Sequence, residues 1–286
     1  SIKKTSKGFA TSYFDKIITA KGVFNPDKKI IVTGDLHCDL HDPNILDIQE
    51  QICKDYKPDV HVNVGDTMNY YSLNHHIMDR GGFILNKTII DESARTYFVL
   101  SRIKKWAKES YLIHGNHERF AGDFIEKFPQ FKGYLDFRFV CDLEGIGYKS
   151  IDIKNVLKIG TAKFIHGEIR MYGQSGSKLE KASRTFGGDI FIGHIHRPEI
   201  RFGCFSVGLT GLLDHEYNEA ESSNWMQGLG MVNQWMGVNW LTTIGIEDNT
   251  CILNGKTYNP IYPESWTPSK YRSEEHTSEL QSPNTI

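Results

Sequence analysis

The stretch Ile30-Ile31-Val32-Thr33-Gly34-Asp35-Leu36-His37 carries the strongest indication of the fold. Its apolar run predicts a buried strand, because short runs of β-branched residues that stop at a glycine are typical of core strands. A carboxylate, Asp35, and an imidazole, His37, follow directly where this strand ends. In layered α/β proteins, functional side chains collect at the carboxyl ends of the strands. The stretch therefore predicts a core strand that carries Asp35 and His37 to a site.

The same arrangement occurs twice more in the first half of the chain. Alternating valines over residues 60–64 predict a strand that ends at Gly65-Asp66. Residues 111–113 predict another strand, which ends just before Gly115-Asn116-His117-Glu118. Three strands that each end at polar, glycine-containing motifs predict one shared site.

Helices are predicted between these strands. Apolar residues recur at helical spacing over residues 44–56 and again over 91–110. This alternation of strands and helices is typical of an α/β layered domain with its site at the strand ends. The core residues expected in the second helix are Ala94, Phe98, Ile103 and Trp106.

The second half of the chain has a different pattern. Alternating runs over residues 148–166 predict hairpin strands, and residues 177–186 predict a helix ahead of a strand at 190–192. Residues 198–258 are rich in glycine, aromatic and β-branched residues, which predicts a second sheet. We therefore expect one α/β domain over residues 29–271, with two stacked mixed sheets flanked by helices.

Composition favours an ordinary globular protein. Hydrophobic residues make up 39% of the 286 residues and aromatic residues 12%. No apolar run has the length of a membrane span, and no N-terminal segment resembles a signal peptide, so a cytoplasmic location is expected, in the host cell if the protein is phage-encoded. The five cysteines are scattered without CxxC spacing, which predicts reduced thiols and no zinc knuckle.

Both ends of the chain are expected to lie outside the domain. Residues 1–28 are rich in lysine and are interpreted as a solvated lead-in or as the end of an upstream segment. Residues 272–282 read RSEEHTSELQS, the translation of a common sequencing adapter, so residues 272–286 are expected not to be native protein. That segment holds one arginine and three glutamates, 1 − 3 = −2, which equals the formal net charge of the whole chain. The remainder is near neutral, and its charge argues neither for nor against a nucleic-acid partner.

Five short motifs supply the chemistry. Apart from Glu118, they offer two carboxylates, one amide oxygen and five imidazoles, a donor set that suits borderline divalent cations. A carboxylate can bridge two cations about 3.5–4 Å apart, the spacing of two-metal phosphatases and nucleases. The set predicts phosphoester hydrolysis by a metal-bridging hydroxide, with His117 as an unbound proton donor. The motifs are Asp35-Leu36-His37, Gly65-Asp66, Gly115-Asn116-His117-Glu118, His166-Gly167 and Gly193-His194-Ile195-His196.

In these motifs the chain resembles the calcineurin-like metallophosphoesterase superfamily, whose pattern runs D-x-H, G-D, G-N-H-[DE], H and G-H-x-H. Each motif is weak alone, but the ordered set over residues 30–196 is specific. The resemblance implies a four-layer α/β/β/α sandwich and two divalent metal ions, with manganese expected and iron, zinc, nickel or cobalt left open. It implies Asp35, His37 and His196 as ligands of the first metal, Asp66 as the bridge, Asn116, His166 and His194 as ligands of the second metal, and His117 as the catalytic histidine.

A narrower resemblance is to phosphoesterases encoded by bacteriophages and prophages. It is carried by Pro58-Asp59, by residues 72–76 and by Asn224-Trp225-Met226-Gln227-Gly228 within residues 208–230. Protein serine/threonine phosphatases continue the second motif as G-D-x-x-D-R-G. Here Asn69 stands at the second aspartate and the arginine is absent, which argues against a phosphoprotein substrate.

The predicted function is therefore a two-metal phosphoesterase that acts on a phosphodiester or a phosphomonoester. Its expected partner is a phosphoester substrate, with DNA or a nucleotide as open alternatives, and no membrane; oligomeric state is not predicted. Two other functions are weighed, a catalytically silent binding module and a protein phosphatase. A silent module would be expected to lack some ligands, whereas all eight positions are intact.

Several residues outside the ligand set have two interpretations. His75 and His76 either line the cleft or lie on an exposed loop, and Arg119 either clamps a phosphate or forms a surface ion pair. For His114 we expect a buried, hydrogen-bonded ring. Glu168 and Arg170 are either contacts around the site or parts of a solvated loop. Packing in the core or sheet is favoured over base stacking for Trp225, Trp235 and Trp240.

Overall fold

Two six-stranded mixed sheets stack face to face at the centre of the molecule, and helices cover the outer face of each. This is the four-layer α/β/β/α sandwich that the sequence predicted. The computed structural model describes residues 17–19, 28–74, 88–168, 176–214 and 224–261.

After β1, the chain forms four strands of the first sheet, then five of the second, and then returns to the first sheet. The helices are α1 (Pro43–Tyr56), α2 (Ile89–Ile103), α3 (Asn116–Lys127), α4 (Phe137–Val140), α5 (Leu143–Ile146) and α6 (Lys178–Phe186). The strands are β1 (Ile17–Thr19), β2 (Lys29–Thr33), β3 (Val60–Asn63), β4 (Glu109–Ile113), β5 (Lys149–Ile151), β6 (Val156–Ile159), β7 (Ala162–Ile165), β8 (Ile190–Ile192), β9 (Pro198–Arg201), β10 (Cys204–Val207), β11 (Gln227–Trp235), β12 (Val238–Ile246), β13 (Cys251–Leu253) and β14 (Lys256–Tyr258).

The first sheet has the strand order β12-β11-β2-β3-β4-β5. Strands β2 to β5 run parallel, so their carboxyl ends lie at one edge. The second sheet has the order β1-β6-β7-β8-β10-β9, in which β7, β8 and β10 run parallel. The loops after the parallel strands of both sheets carry the five motifs.

The prediction that residues 198–258 form a second sheet is wrong in part. Strands β9 and β10 do belong to the second sheet, but β11 and β12 extend the first sheet beside β2, and β13 pairs with β14 in a separate hairpin. The first six residues of β11 are all buried, as expected for a strand with neighbours on both sides. Local pattern indicates that a segment is a strand, but the partner is set by long-range packing.

The main core lies between the two sheets. Alternate residues of β2, such as Ile30 and Val32, face the second sheet, while Ile31 faces the helices. Phe164 and Phe191 enter the same core from the second sheet and stack with their ring centroids 6.0 Å apart. Each fully buried side chain of this size contributes about 1.5–3 kcal/mol through burial. The resulting rigid centre holds the strand ends, and hence the motif loops, in place.

Helix α1 begins as its sequence predicts. The side chain of Asp42 caps the helix by accepting a hydrogen bond from the Asn44 N–H at 2.9 Å, and Pro43 occupies the first turn. Its apolar face packs on the outer face of the first sheet together with α2.

The boundaries and the core face of α2 differ from the prediction. The helix ends at Ile103, and a single 3₁₀ turn leads into β4, so the predicted helix over 91–110 is too long. Ala94 and Phe98 are exposed, Phe98 by 57%, which corrects their assignment to the core, whereas Ile103 and Trp106 are buried as expected. Polar residues such as Thr96 take buried positions on this helix, and this confuses a prediction based on apolar spacing.

Several predictions concern the ends of the chain and the loops. Ile17–Thr19, within the predicted lead-in, pairs in parallel with β6. The other predictions for residues 1–27 and 272–286, and those for His75, His76 and Arg170, lie outside the described residues. All five cysteines are buried free thiols. Among the described residues, no helix has the length and apolar character needed to cross a membrane.

Candidate metal centre

The motif loops meet at the carboxyl ends of the parallel strands and are tied to one another through the backbone. The Asp35 N–H donates to the Gly65 carbonyl at 2.8 Å, and the His37 N–H donates to the Asp66 carbonyl at 2.9 Å. The His194 N–H, from the second sheet, donates to Asp35 Oδ1 at 2.9 Å. The first, second and fifth motifs therefore form one connected structure that spans both sheets.

Five motif residues have left-handed backbone conformations. Asp35, His37, Asp66, His194 and His196 have φ between 46° and 68°. Such conformations cost of order 1–3 kcal/mol for residues other than glycine, and in native proteins they concentrate at functional sites. Here they turn the chain sharply after each strand, so that carboxylates and imidazoles from separate loops face a common centre.

Two motif glycines are required by the close approach of these loops. A Cβ atom at Gly65 would lie 2.6 Å from His166 Nδ1, and the φ of Gly65 is 107°, a conformation that other residues rarely adopt. A Cβ atom at Gly115 would overlap the carboxylate of Asp66. The glycine of the G-D motif and that of the G-N-H-E motif are therefore packing requirements of the site itself.

The structure brings Asp35, His37, Asp66 and His196 together in a first donor cluster. One donor atom from each residue lies within 4.8 Å of all the others. His196 Nε2 lies 3.2 Å from His37 Nε2 and 3.2 Å from Asp35 Oδ1. All four residues are buried.

A second donor cluster consists of Asp66, His166, His194 and the amide oxygen of Asn116. His166 Nε2 lies 3.2 Å from Asp66 Oδ2 and 2.9 Å from Asn116 Oδ1. His194 Nδ1 lies 2.8 Å from the same amide oxygen. Asp66 belongs to both clusters, so the seven predicted ligands converge on two adjoining positions.

The donor atoms in both clusters suit divalent cations. Two imidazole nitrogens 3.2 Å apart, such as those of His37 and His196, can share at most one proton, and a carboxylate oxygen lies beside them. A buried concentration of lone pairs of this kind is stabilised by a bound cation. The mixture of carboxylate oxygen, amide oxygen and imidazole nitrogen suits manganese, iron, zinc, nickel or cobalt, and does not select among them.

The electrostatics of the shared carboxylate are dominated by its histidine neighbours. Burial alone would raise the pKa of Asp66, but attraction to His166 and His117 holds that pKa well below its ordinary value. Burial likewise opposes a charge on His166, yet the adjacent Asp66 raises the pKa of His166 to about 9. In contrast, burial together with the charges of His166 and Lys178 lowers the pKa of His194 to about 2.

His117 lies beside the two donor clusters and belongs to neither. Its ring contacts that of His37 edge-on with centroids 4.5 Å apart, and its backbone N–H donates to Asp66 Oδ1 at 3.0 Å. His117 Nδ1 lies 2.8 Å from the Asn69 carbonyl, which leaves Nε2 as the other proton-carrying position. Burial lowers the pKa of His117, although Asp66 and the Asn69 carbonyl oppose this. The backbone of Asn69, and not its side chain, thus orients the ring.

Glu118 has a structural role that our sequence interpretation missed. Its buried carboxylate accepts hydrogen bonds from the backbone N–H groups of Asp66, Thr67, Met68 and Gly115 at 2.6–3.2 Å. It thereby joins the second motif to the third. Burial and the neighbouring Asp66 raise the pKa of Glu118 to about 7, despite these donors. A signal was present in the sequence, because a glutamate three residues into a helix is the mark of a capping box.

None of the three tryptophans lies in the core, but Trp235 and Trp240 pack on the first sheet, the other alternative expected for them, with their ring centroids 6.2 Å apart. Trp235 and Trp240 are 56% and 52% exposed, at the ends of β11 and β12 that form their hairpin. Trp225 is half-buried and contacts the His196 ring edge-on, with centroids 4.3 Å apart. It therefore packs on a residue of the first donor cluster, whereas the other two are surface residues.

The remaining candidates take distinct places. Arg119 forms an exposed ion pair with Asp123 at 3.7 Å, the surface alternative predicted for it. His114 is hydrogen-bonded to Ser150 Oγ at 2.7 Å, as expected. Glu168 Oε2 lies 3.5 Å from His194 Nε2, so Glu168 is a neighbour of the second donor cluster.

The chain is similar to several known proteins. The Gene 54 protein of Mycobacterium phage D29 is 25% identical over 225 residues, which cover 72% of this chain and 88% of that protein. Among solved structures, Vps29 of Chaetomium thermophilum is 13% identical with a TM-score of 0.45, covering 82% of this chain and 99% of that one. The E. coli phosphoesterase Yfce is 12% identical with a TM-score of 0.36, covering 78% and 90%.

A family model described as calcineurin-like phosphoesterase matches residues 28–208. These residues make up more than half of the 286-residue chain and contain all five motifs and both donor clusters. The chain therefore belongs to the calcineurin-like phosphoesterase family.

Proposed function

We propose that this protein is a two-metal phosphoesterase that hydrolyses a phosphodiester or a phosphomonoester. The observation that carries the proposal is the position of Asp66, whose buried carboxylate is a member of both donor clusters. A shared carboxylate supports two ions held close enough to act on one phosphoryl group.

In this proposal each donor cluster holds one ion, with manganese as the expected metal. Asp35, His37 and His196 bind the first, Asn116, His166 and His194 bind the second, and Asp66 binds both. When bound, two divalent ions polarise phosphoryl oxygens and lower the pKa of a water molecule between them. The parallel strands hold these side chains before substrate arrives, which reduces the reorganisation needed during reaction.

His117 supplies the proton in the proposed reaction. Because its Nδ1–H donates to the Asn69 carbonyl, the proton that the ring gains when it becomes charged is the one on Nε2. The protonated ring stabilises charge that develops on the phosphoryl group, and Nε2 transfers its proton to the departing oxygen. The lowered pKa of His117 makes the charged ring a stronger acid, and it also reduces the fraction of rings that carry the second proton.

For the substrate we propose DNA or a nucleotide, in a phage setting and in the cytoplasm of the host cell. Support comes from the similarity to a mycobacteriophage protein and from the lysine-rich start of the chain. A protein phosphatase is disfavoured, because the arginine that follows the second motif in those enzymes is absent. A silent binding module remains the second function to test.

The test is hydrolysis of bis-p-nitrophenyl phosphate and p-nitrophenyl phosphate by the full chain with manganese, with His117→Ala as control. Turnover that falls steeply in the control while metal content is retained supports the proposal, and the preferred ester defines the substrate class. Two bound metals without turnover of any phosphoester would favour the binding module. Failure to bind metal at all would exclude the proposal.

A further inference from the structure

Lys178 is a cation at the edge of the second donor cluster that the five motifs do not include. It is the first residue of α6, and the Ser177 side chain caps this helix by accepting from the Glu180 N–H at 3.2 Å. Leu179 and Ala182 anchor the helix to the outer face of the second sheet. The helix is thereby fixed, and so is the starting point of the Lys178 side chain.

Two contacts connect this lysine to the cluster. Lys178 Nζ lies 3.9 Å from Glu168 Oε2, and the same oxygen lies 3.5 Å from His194 Nε2. The side chain of Lys178 is 39% exposed and that of Glu168 34%. The Lys178 side chain is therefore connected to the second cluster through Glu168 and is also partly open to solvent.

The ion-pair distance of Lys178 is longer than those of Arg95 and Arg197, two other cations near the site. Arg95 is held by Asp39 at 2.9 Å, and Arg197 is held by Glu199 at 2.9 Å. At 3.9 Å the ammonium of Lys178 is at the limit of an ion pair, and its four-carbon stem gives it freedom to move. Glu168 keeps a second neighbour in His194 when the lysine moves away.

We propose that Lys178 is a substrate-binding residue whose ammonium group binds a phosphoryl oxygen at the second donor cluster. This inference rests on the proposed phosphoesterase function and deepens it by naming a determinant of substrate class. A lysine acts on phosphate as a mobile point charge, so its contribution grows with the negative charge of the ligand. Lys178 therefore favours a phosphomonoester dianion, or a terminal phosphate, over the single charge of a phosphodiester.

The experiment compares Lys178→Ala with Lys181→Ala, a matched control one turn further along α6. Three quantities are measured on the manganese-loaded full chain: metal content, the dissociation constant of inorganic phosphate by calorimetry, and kcat/KM for p-nitrophenyl phosphate and its bis-ester. We expect Lys178→Ala to weaken phosphate binding about tenfold and to lower the monoester-to-diester ratio of kcat/KM by a similar factor. Metal content stays unchanged, and the control stays within about twofold.

The outcomes separate this inference from the proposed function. If wild-type protein binds metal but Lys178→Ala binds phosphate as tightly as wild type, the inference fails and the phosphoesterase proposal stands. Loss of metal from Lys178→Ala would also overturn it, because the lysine would then support the site and not the substrate. The phosphate measurement needs no turnover, so it tests Lys178 even if neither ester is hydrolysed. Absence of metal binding by wild type would overturn both.

Discussion

The two donor clusters share Asp66 but differ in how they are enclosed. Asp35 and His37 of the first cluster are fully buried, and the side chain of His196 is 10% exposed with Trp225 packed against it. In the second cluster the His194 side chain is 23% exposed and Asn116 is half-buried. Similar ligands are therefore more deeply buried in the first cluster and more accessible to solvent in the second.

From this difference in burial we expect the two clusters to have different roles. Buried donors exclude competing water and strengthen electrostatic attraction to an ion, so we expect the first cluster to retain an ion better. The second cluster has solvent access and polar neighbours, Glu168 and Lys178, so we expect a phosphoryl group to approach from its side. Asp66 belongs to both clusters, so its removal should have the largest effect of the substitutions described below.

Replacing Asp66 with asparagine should abolish activity and metal binding in both clusters. The change removes the one negative charge that each cluster shares, while the side-chain shape is kept. We expect turnover of either ester to fall by more than about a thousandfold, and metal analysis to find less than one ion per chain. Asp123→Asn, at an exposed aspartate of α3, is the matched control. Retention of two ions in Asp66→Asn would refute the assignment of Asp66 as the bridge.

Replacing His117 with alanine should separate catalysis from metal binding. His117 lies next to both clusters and belongs to neither, so we expect two ions per chain but a turnover lower by about 10²–10⁴-fold. His114→Ala, three residues before His117 and hydrogen-bonded to Ser150, should leave turnover near wild type. Equal loss of metal and activity in His117→Ala would show that the residue is a ligand instead.

Removing one ligand from each cluster should reveal their unequal enclosure. His37→Ala removes a ligand from the first cluster and keeps the second cluster intact, and His194→Ala does the reverse. Each variant should bind one ion per chain, and the ion remaining in His194→Ala should be held about 10–100-fold more tightly. Metal content after dialysis against graded chelator concentrations measures this. Equal affinities would mean that enclosure has no effect on metal retention.

The sequence predicted which residues form the site better than it predicted which residues pack around them. The glycine-bounded motifs identified all seven donor residues that meet in the two clusters, because each motif follows a strand whose apolar pattern is strong. Glu118 and Lys178 received no role, and for Trp225 core or sheet packing was expected. Their contacts depend on which loops approach one another, and that is set by the packing of the two sheets.

The fold shows the same limit. The buried strands β2, β3 and β4 were predicted because each is a short apolar run before a motif. The position of β11 beside β2 was not predicted, since an alternating pattern identifies a strand without identifying its neighbour. Helix α3 was also missed, because Gly115-Asn116-His117 resembles a loop motif although Asn116 already begins the helix.

Metal uptake by the second cluster should depend on pH through His166. In metal-free protein the pKa of His166 is raised to about 9, so the ring holds a proton that a metal ion must displace. The apparent affinity of this cluster should therefore rise by up to about tenfold per pH unit as pH increases, and should level off above the pKa. Calorimetry in buffers of different ionisation enthalpy measures the released proton. Metal binding without proton release would contradict the role of His166.

The same pKa shift affects the stability of metal-free protein in the opposite direction. A histidine whose pKa is raised by folding stabilises the folded state fully below its unfolded pKa, and this stabilisation is lost as pH rises through its folded pKa. For His166 the loss falls between about pH 6.5 and the folded pKa of about 9. Urea unfolding across this range should show falling stability without metal, and a smaller change when metal is bound.

Trp225 offers the mildest way to test the enclosure of the first cluster. Its ring lies against His196, so Trp225→Ala should loosen that imidazole and weaken metal binding there by a few-fold, about 1 kcal/mol or less. Trp225→Phe keeps an aromatic wall and should restore most of the affinity. Trp240→Ala removes an exposed tryptophan of β12 and should change nothing. If Trp225→Ala and Trp240→Ala behave alike, burial of His196 by aromatic packing does not distinguish the two clusters, and their difference must come from the ligands themselves.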